Sequence, residues 1–159
     1  MTQVDEAQTL AIEATVSYHN LAALADEVRR EYFPRHPVLP VIWGKRPPRK
    51  RRRSIRLGSY DRATNMIRIH PLLNSPGVPP FFVQSIIHHE YLHHVLGGPH
   101  NSRFKRHERS FRFHYEAREW LKHNLAHLLG LKKRAAVRPR RLEMPRIMPL
   151  PPSEQLTLF

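Results

Sequence analysis

The sequence contains no cysteine. Disulfides are therefore excluded, as is any metal centre held by thiolates, which leaves imidazole and carboxylate as the available ligand chemistry. Acidic residues are scarce: 13 Asp and Glu stand against 27 Lys and Arg, a formal charge of +14 over 159 residues. So basic a chain is drawn to polyanions, nucleic acid foremost. No apolar run is long enough to cross a bilayer. The first residues carry Asp5 and Glu6 and lack the basic region and apolar stretch of a secretory signal. The expectation is a soluble, cytoplasmic, nucleoid-associated monomer with no membrane partner.

What is present is enough for one domain and a tail. Hydrophobic residues make up 40% and aromatics 9%, which argues against a disordered chain. Leu21, Leu24, Ala25, Val28 and Tyr32 form one helical stripe that should end before Pro34. Strand candidates follow at 38–43, 54–60 and 65–70. The polar residues 61–64 join the last two as an antiparallel hairpin. Pro79-Pro80 can open a helix with Phe82, Val83, Ile86 and Ile87 on its apolar face, and Gly97-Gly98-Pro99 should stop it. A further helical stretch starts near Asn101, breaks near Phe111 and continues past Trp120 to Leu129. The expected fold is α+β: one small domain with an N-terminal helix, a short three-stranded antiparallel sheet, the helix opened at Pro79-Pro80 and C-terminal helices. Its expected extent is residues 1–131, followed by a basic proline-rich linker, 132–152, and a terminal peptide, 153–159.

The histidines, twelve in all, carry the strongest signal. His89-Glu90-Tyr91-Leu92-His93 is an H-E-x-x-H pattern. Residues four apart on a helix share a face, so the two imidazoles can converge on one ion, here Zn2+. Such an ion acidifies a water, and the neighbouring Glu90 can take its proton as it attacks a carbonyl. Neither His88 nor His94 has a histidine four residues away with Glu beside it. A catalytic zinc needs a third protein ligand. His100, the first histidine past the glycine turn, is the candidate, with His107, Glu108 and His114 as competitors. His88 and His94 read as surface or outer-layer groups, and Tyr115, Trp43 and Trp120 as core aromatics.

These segments resemble the SprT-like, Spartan-type metalloproteases. The resemblance runs from the first strand to about Leu129. It includes Arg56-Leu57-Gly58-Ser59-Tyr60, Asn65-Met66-Ile67-Arg68-Ile69-His70, the 89–93 motif, and His100-Asn101-Ser102-Arg103-Phe104. Asn101 stands where the family has Gly, and His70 stands near its usual Asn. The resemblance implies a small zincin-like domain, with His89, His93 and His100 as zinc ligands, Glu90 as general base, and proteins bound or crosslinked to DNA as substrates.

The remaining signals concern location. Gln155-Leu156-Thr157-Leu158-Phe159 resembles the bacterial sliding-clamp-binding motif. Leu156, Leu158 and Phe159 would fill apolar pockets while the Gln155 amide gives direction. Fourteen of the 27 basic residues lie in two blocks, 45–53 and 132–146. Lys45, Arg46, Arg49, Lys50, Arg51, Arg52 and Arg53 make up the first, and Lys132, Lys133 and Arg134 open the second. Such runs neutralise phosphates without reading bases, so DNA binding without sequence specificity is expected. Two other readings stand beside the protease: a zinc hydrolase of a non-peptide substrate, and a non-enzymatic clamp- and DNA-binding adaptor with a structural metal.

Overall fold

The structure, a computed structural model, describes residues 17–46 and 54–130. Lys45 and Arg46 are exposed at the edge of this range. The expectations for Arg49 to Arg53, for the linker with Lys132, Lys133 and Arg134, and for Gln155 to Phe159 lie outside the described residues.

Helix α1 spans Leu21–Tyr32 and starts on Asn20, whose side chain accepts from the Ala23 amide at 3.1 Å. That bond satisfies one of the orphan donors every helix start leaves. Its stripe buries Leu21, Ala25 and Val28. Strand β1 is Val41–Trp43, β2 Gly58–Asp61 and β3 Met66–Ile69. All three are shorter than the sequence pattern suggests. Pro37 and Pro40 have no amide to lend a ladder, which delays the start of β1.

The β2–β3 hairpin forms as expected. Asp61 accepts from the Ala63 amide at 3.0 Å, and Asn65, at φ 51°, supplies the left-handed residue that closes the turn. The sheet itself is mixed, not antiparallel. Strand β3 is central, and β1 runs parallel to it with Val41 opposite Ile67 and Trp43 opposite Ile69. The cause lies in the connection. No tight turn joins β1 to β2, and residues 44–57 are enough to carry the chain past the end of β3 to its far edge.

Helix α2, Pro80–Leu96, is the centre of the molecule and packs against α1, β2, β3 and the two helices after it. These are α3, Ser102–Arg109, and α4, His114–Leu128, separated near Phe111 as the sequence indicates. Because partners surround it, α2 buries Phe82, Val83, Ile87, Tyr91 and Leu92 around several faces. Ile67 and Ile69 meet them from β3, and Leu73 and Phe104 close the core. Each such side chain contributes about 1.5–3 kcal/mol on burial. Tyr91 is fully buried, and its hydroxyl accepts from the Leu39 amide at 3.0 Å, pinning the loop before β1 to the helix. No described helix is long and apolar enough to cross a membrane.

Candidate metal centre

One turn of α2 separates His89 from His93, and their Nε2 atoms face each other at 3.2 Å. Gly97 then ends the helix at φ 90° and ψ −167°, a conformation only glycine adopts without strain. Pro99 and His100 follow. Asn101 caps α3 by accepting from the Phe104 amide at 2.9 Å, so the chain on either side of His100 is fixed by a turn and a cap. His100 Nε2 lies 3.1 Å from His93 Nε2. The three rings form a group that could hold a metal ion, with all three donor atoms within 4.8 Å of one another.

Their protons decide what this group wants. His89 Nδ1 is 2.7 Å from Glu108 Oε1, and His93 Nδ1 is 3.0 Å from the Gly97 carbonyl oxygen. Both partners are acceptors, so each Nδ1 donates and each ring turns its Nε2 inward, where it can face a cation. Two lone pairs at 3.2 Å repel unless a cation stands between them. Tetrahedral zinc, with bonds of about 2.0–2.1 Å to nitrogen, sets its donors roughly 3.3 Å apart. The donor set fits that ion.

Glu90 does not join the three rings. It is buried beneath β2, and burial pushes its carboxyl up, opposed by His89, Arg56 and the Tyr60 amide that donates to it. The strand approaches so closely because residue 58 is glycine. A Cβ there would stand 2.6 Å from Ile86 Cγ2 and 2.8 Å from Glu90 Oε1. Glu90 therefore shares with the histidines one cleft of about 1110 Å3, bounded by β2, α2, α4 and the turn at Pro99.

The competing candidates separate clearly. Glu108 is not in the ligand group but holds the outer nitrogen of His89, and that bond keeps its carboxyl below the usual range. His107 is exposed on α3 and is not part of the ligand group. His114 is buried at the start of α4 and lines the cleft without joining the three rings. His88 is not a surface group: Tyr32, Phe33 and Phe111 surround its ring, and burial lowers its pKa to about 4. His94 is half-buried, 2.8 Å from the Tyr60 hydroxyl. Tyr115 is not a core residue but 72% exposed, because α4 turns His114 and Ala117 inward instead. Trp43 and Trp120 pack against the core as expected.

No protein-family model and no curated protein matches the chain. Among solved structures, the metallopeptidase zymogen jannalysin of Methanocaldococcus jannaschii is similar, with a TM-score of 0.52 at 15% identity. The match covers 69% of this chain and 98% of that one. The fold is shared. A likeness at that identity speaks for the fold alone, and what the cleft does must be argued from its own residues.

Proposed function

We propose that the chain is a zinc metalloendopeptidase of the SprT-like type, with His89, His93 and His100 holding one Zn2+ and Glu90 as general base. The observation that carries the reading is the convergence of three imidazole nitrogens, two with their outer protons already committed, in one cleft with a buried carboxylate. The bound ion would supply Lewis acidity to water and to the scissile carbonyl. Glu90 takes one proton from the attacking water as the new C–O bond forms. It then delivers that proton to the leaving amine as the C–N bond breaks. Burial favours this shuttle, because a carboxyl held above its ordinary range accepts a proton more readily.

A peptide substrate fits better than other carbonyl compounds. Among the described residues β2 is an edge strand, paired only with β3, and it borders the cleft. An extended chain can add to such an edge through its backbone and pass over Glu90.

For the biological substrate we infer proteins bound or crosslinked to DNA. The support is the +14 charge, the basic blocks and the clamp-like ending. In this reading Gln155, Leu156, Leu158 and Phe159 engage a bacterial sliding clamp, and the basic residues hold DNA without reading its sequence. The test is cleavage of a DNA-bound protein by the zinc-loaded chain, with Glu90→Gln as control. Turnover should vanish in that variant while zinc stays bound. A variant that still cleaves would remove Glu90 from the mechanism, and a wild-type chain that cleaves no protein would end the peptidase reading. Deleting Leu158 and Phe159 should abolish clamp binding, and unchanged clamp affinity would end the tethering idea.

A further inference from the structure

The cleft extends beyond the histidines into the space between α2 and α4, and this part has a chemistry of its own. Residues 114, 117, 118 and 121 share one face of α4, and all four line it. Ala117 and Ser85 are small, which leaves room between the helices, and the Ser85 hydroxyl is turned back to the Phe82 carbonyl at 2.7 Å. Phe82 and Leu121 make the walls apolar.

One charged group in this space lacks a partner among the described residues. It is not His114, whose Nε2 atom is covered by protein and out of a ligand's reach. Arg118, one helical turn further on, is exposed and makes no ion pair with a described residue. Neighbouring anions are already engaged: Glu119 pairs with Lys122, Glu108 with His89, and Glu90 lies under β2. Spare charge in the cleft is positive.

We propose that the space between α2 and α4 is a side-chain subsite for glutamate or aspartate, with Arg118 holding the carboxylate. This rests on the peptidase reading and names the substrate class it acts on: polypeptides with an acidic residue near the cleaved bond. An aliphatic side chain would fit the walls but leave Arg118 unpaired. A lysine or arginine would meet Arg118 with like charge, so the subsite rejects as well as selects.

The test uses the full zinc-loaded chain, a degenerate peptide library and mass spectrometry of the products. Arg118 is exposed, so its variants leave the core undisturbed. The expected result is Glu and Asp enriched roughly tenfold at one fixed position beside the cut, the size of a hydrogen-bonded charge. Arg118→Gln should erase that enrichment, and Arg118→Glu should turn it toward Lys and Arg. Cleavage without acidic enrichment, or enrichment that survives Arg118→Gln, overturns the subsite and leaves the peptidase standing.

A binding measurement keeps the two ideas apart. Fluorescent peptides differing only in Glu or Gln are titrated onto the Glu90→Gln protein with zinc. The Glu peptide should bind about tenfold tighter, and Arg118→Gln in the same background should abolish the difference. If that holds while wild type cleaves nothing, the subsite stands and the peptidase falls. Equal affinities overturn the subsite. So does an Arg118→Gln variant that loses affinity for a DNA oligonucleotide while its preference for acidic peptides is unchanged.

Discussion

His89 Nδ1 stands 2.7 Å from Glu108 Oε1, a bond that ties α2 to α3 and aims the other face of the imidazole at His93 and His100. A carboxylate in this position fixes the tautomer and makes the inner nitrogen more basic. Glu108→Ala should therefore weaken zinc binding by about 10–100-fold, with a smaller loss for Glu108→Gln. Competition against a chromogenic chelator measures it. Unaltered affinity in the alanine variant would show that the ring needs no such support.

Gly97 has a comparable duty at the other end of the motif. Its φ of 90° presents the carbonyl that accepts from His93 Nδ1. Gly97→Ala should cost about 1–3 kcal/mol in stability through backbone strain. It should also weaken zinc binding, because the carbonyl moves. Thermal unfolding and the same chelator competition report the two effects separately. A variant with wild-type values in both would contradict the role given to this turn.

Gly58 governs Glu90 rather than the metal ligands. An added methyl would overlap Ile86 Cγ2 at 2.6 Å and press on the carboxylate. Gly58→Ala should destabilise the fold by about 1–3 kcal/mol, the usual range for overpacking. Peptide turnover should fall while zinc affinity holds, since the three rings are not displaced. Zinc loss without loss of turnover would reverse that assignment.

His88 gives the metal-free protein a pH dependence of known sign. Burial among aromatic rings depresses its pKa to about 4, while the unfolded chain titrates near the ordinary value of 6.5. Below that value the unfolded state takes up a proton the folded state resists, so stability is full above it and falls toward pH 4. The loss should be on the order of 3 kcal/mol at the lower limit. A cation at the neighbouring rings would push His88 the same way. Urea unfolding at successive pH values, compared with His88→Phe, isolates the contribution. Parallel curves for the two proteins would refute it.

The features legible in the sequence are those set by near neighbours. The α2 motif, the glycine stop, His100 and the β2–β3 hairpin each follow from a few adjacent residues, and the structure places them together. The direction of β1 does not, because it depends on where a long connection carries the chain, which no local pattern encodes. The burial of His88 and the exposure of Tyr115 escape the sequence for a related reason. Helix α2 is enclosed on several sides and α4 has a weak stripe, so periodicity alone could not say which way each ring points. Glu108 was visible as a metal-capable residue, but only the packing of α3 shows that it serves a ligand instead of being one. The meaning of Leu57-Gly58 was hidden too, since it lies in a contact with a helix some thirty positions later.

All three nitrogen donors come from one uninterrupted stretch, 89–100, and among the described residues no other joins the group. An ion held there closes only a small ring of backbone, and closing a short loop removes little freedom from the unfolded polypeptide. The core around Ile67, Leu73 and Tyr91 is built from side chains outside that group. Chelation should thus silence the protein while leaving it folded, its melting point lowered only by the mass-action share that ligand occupancy provides.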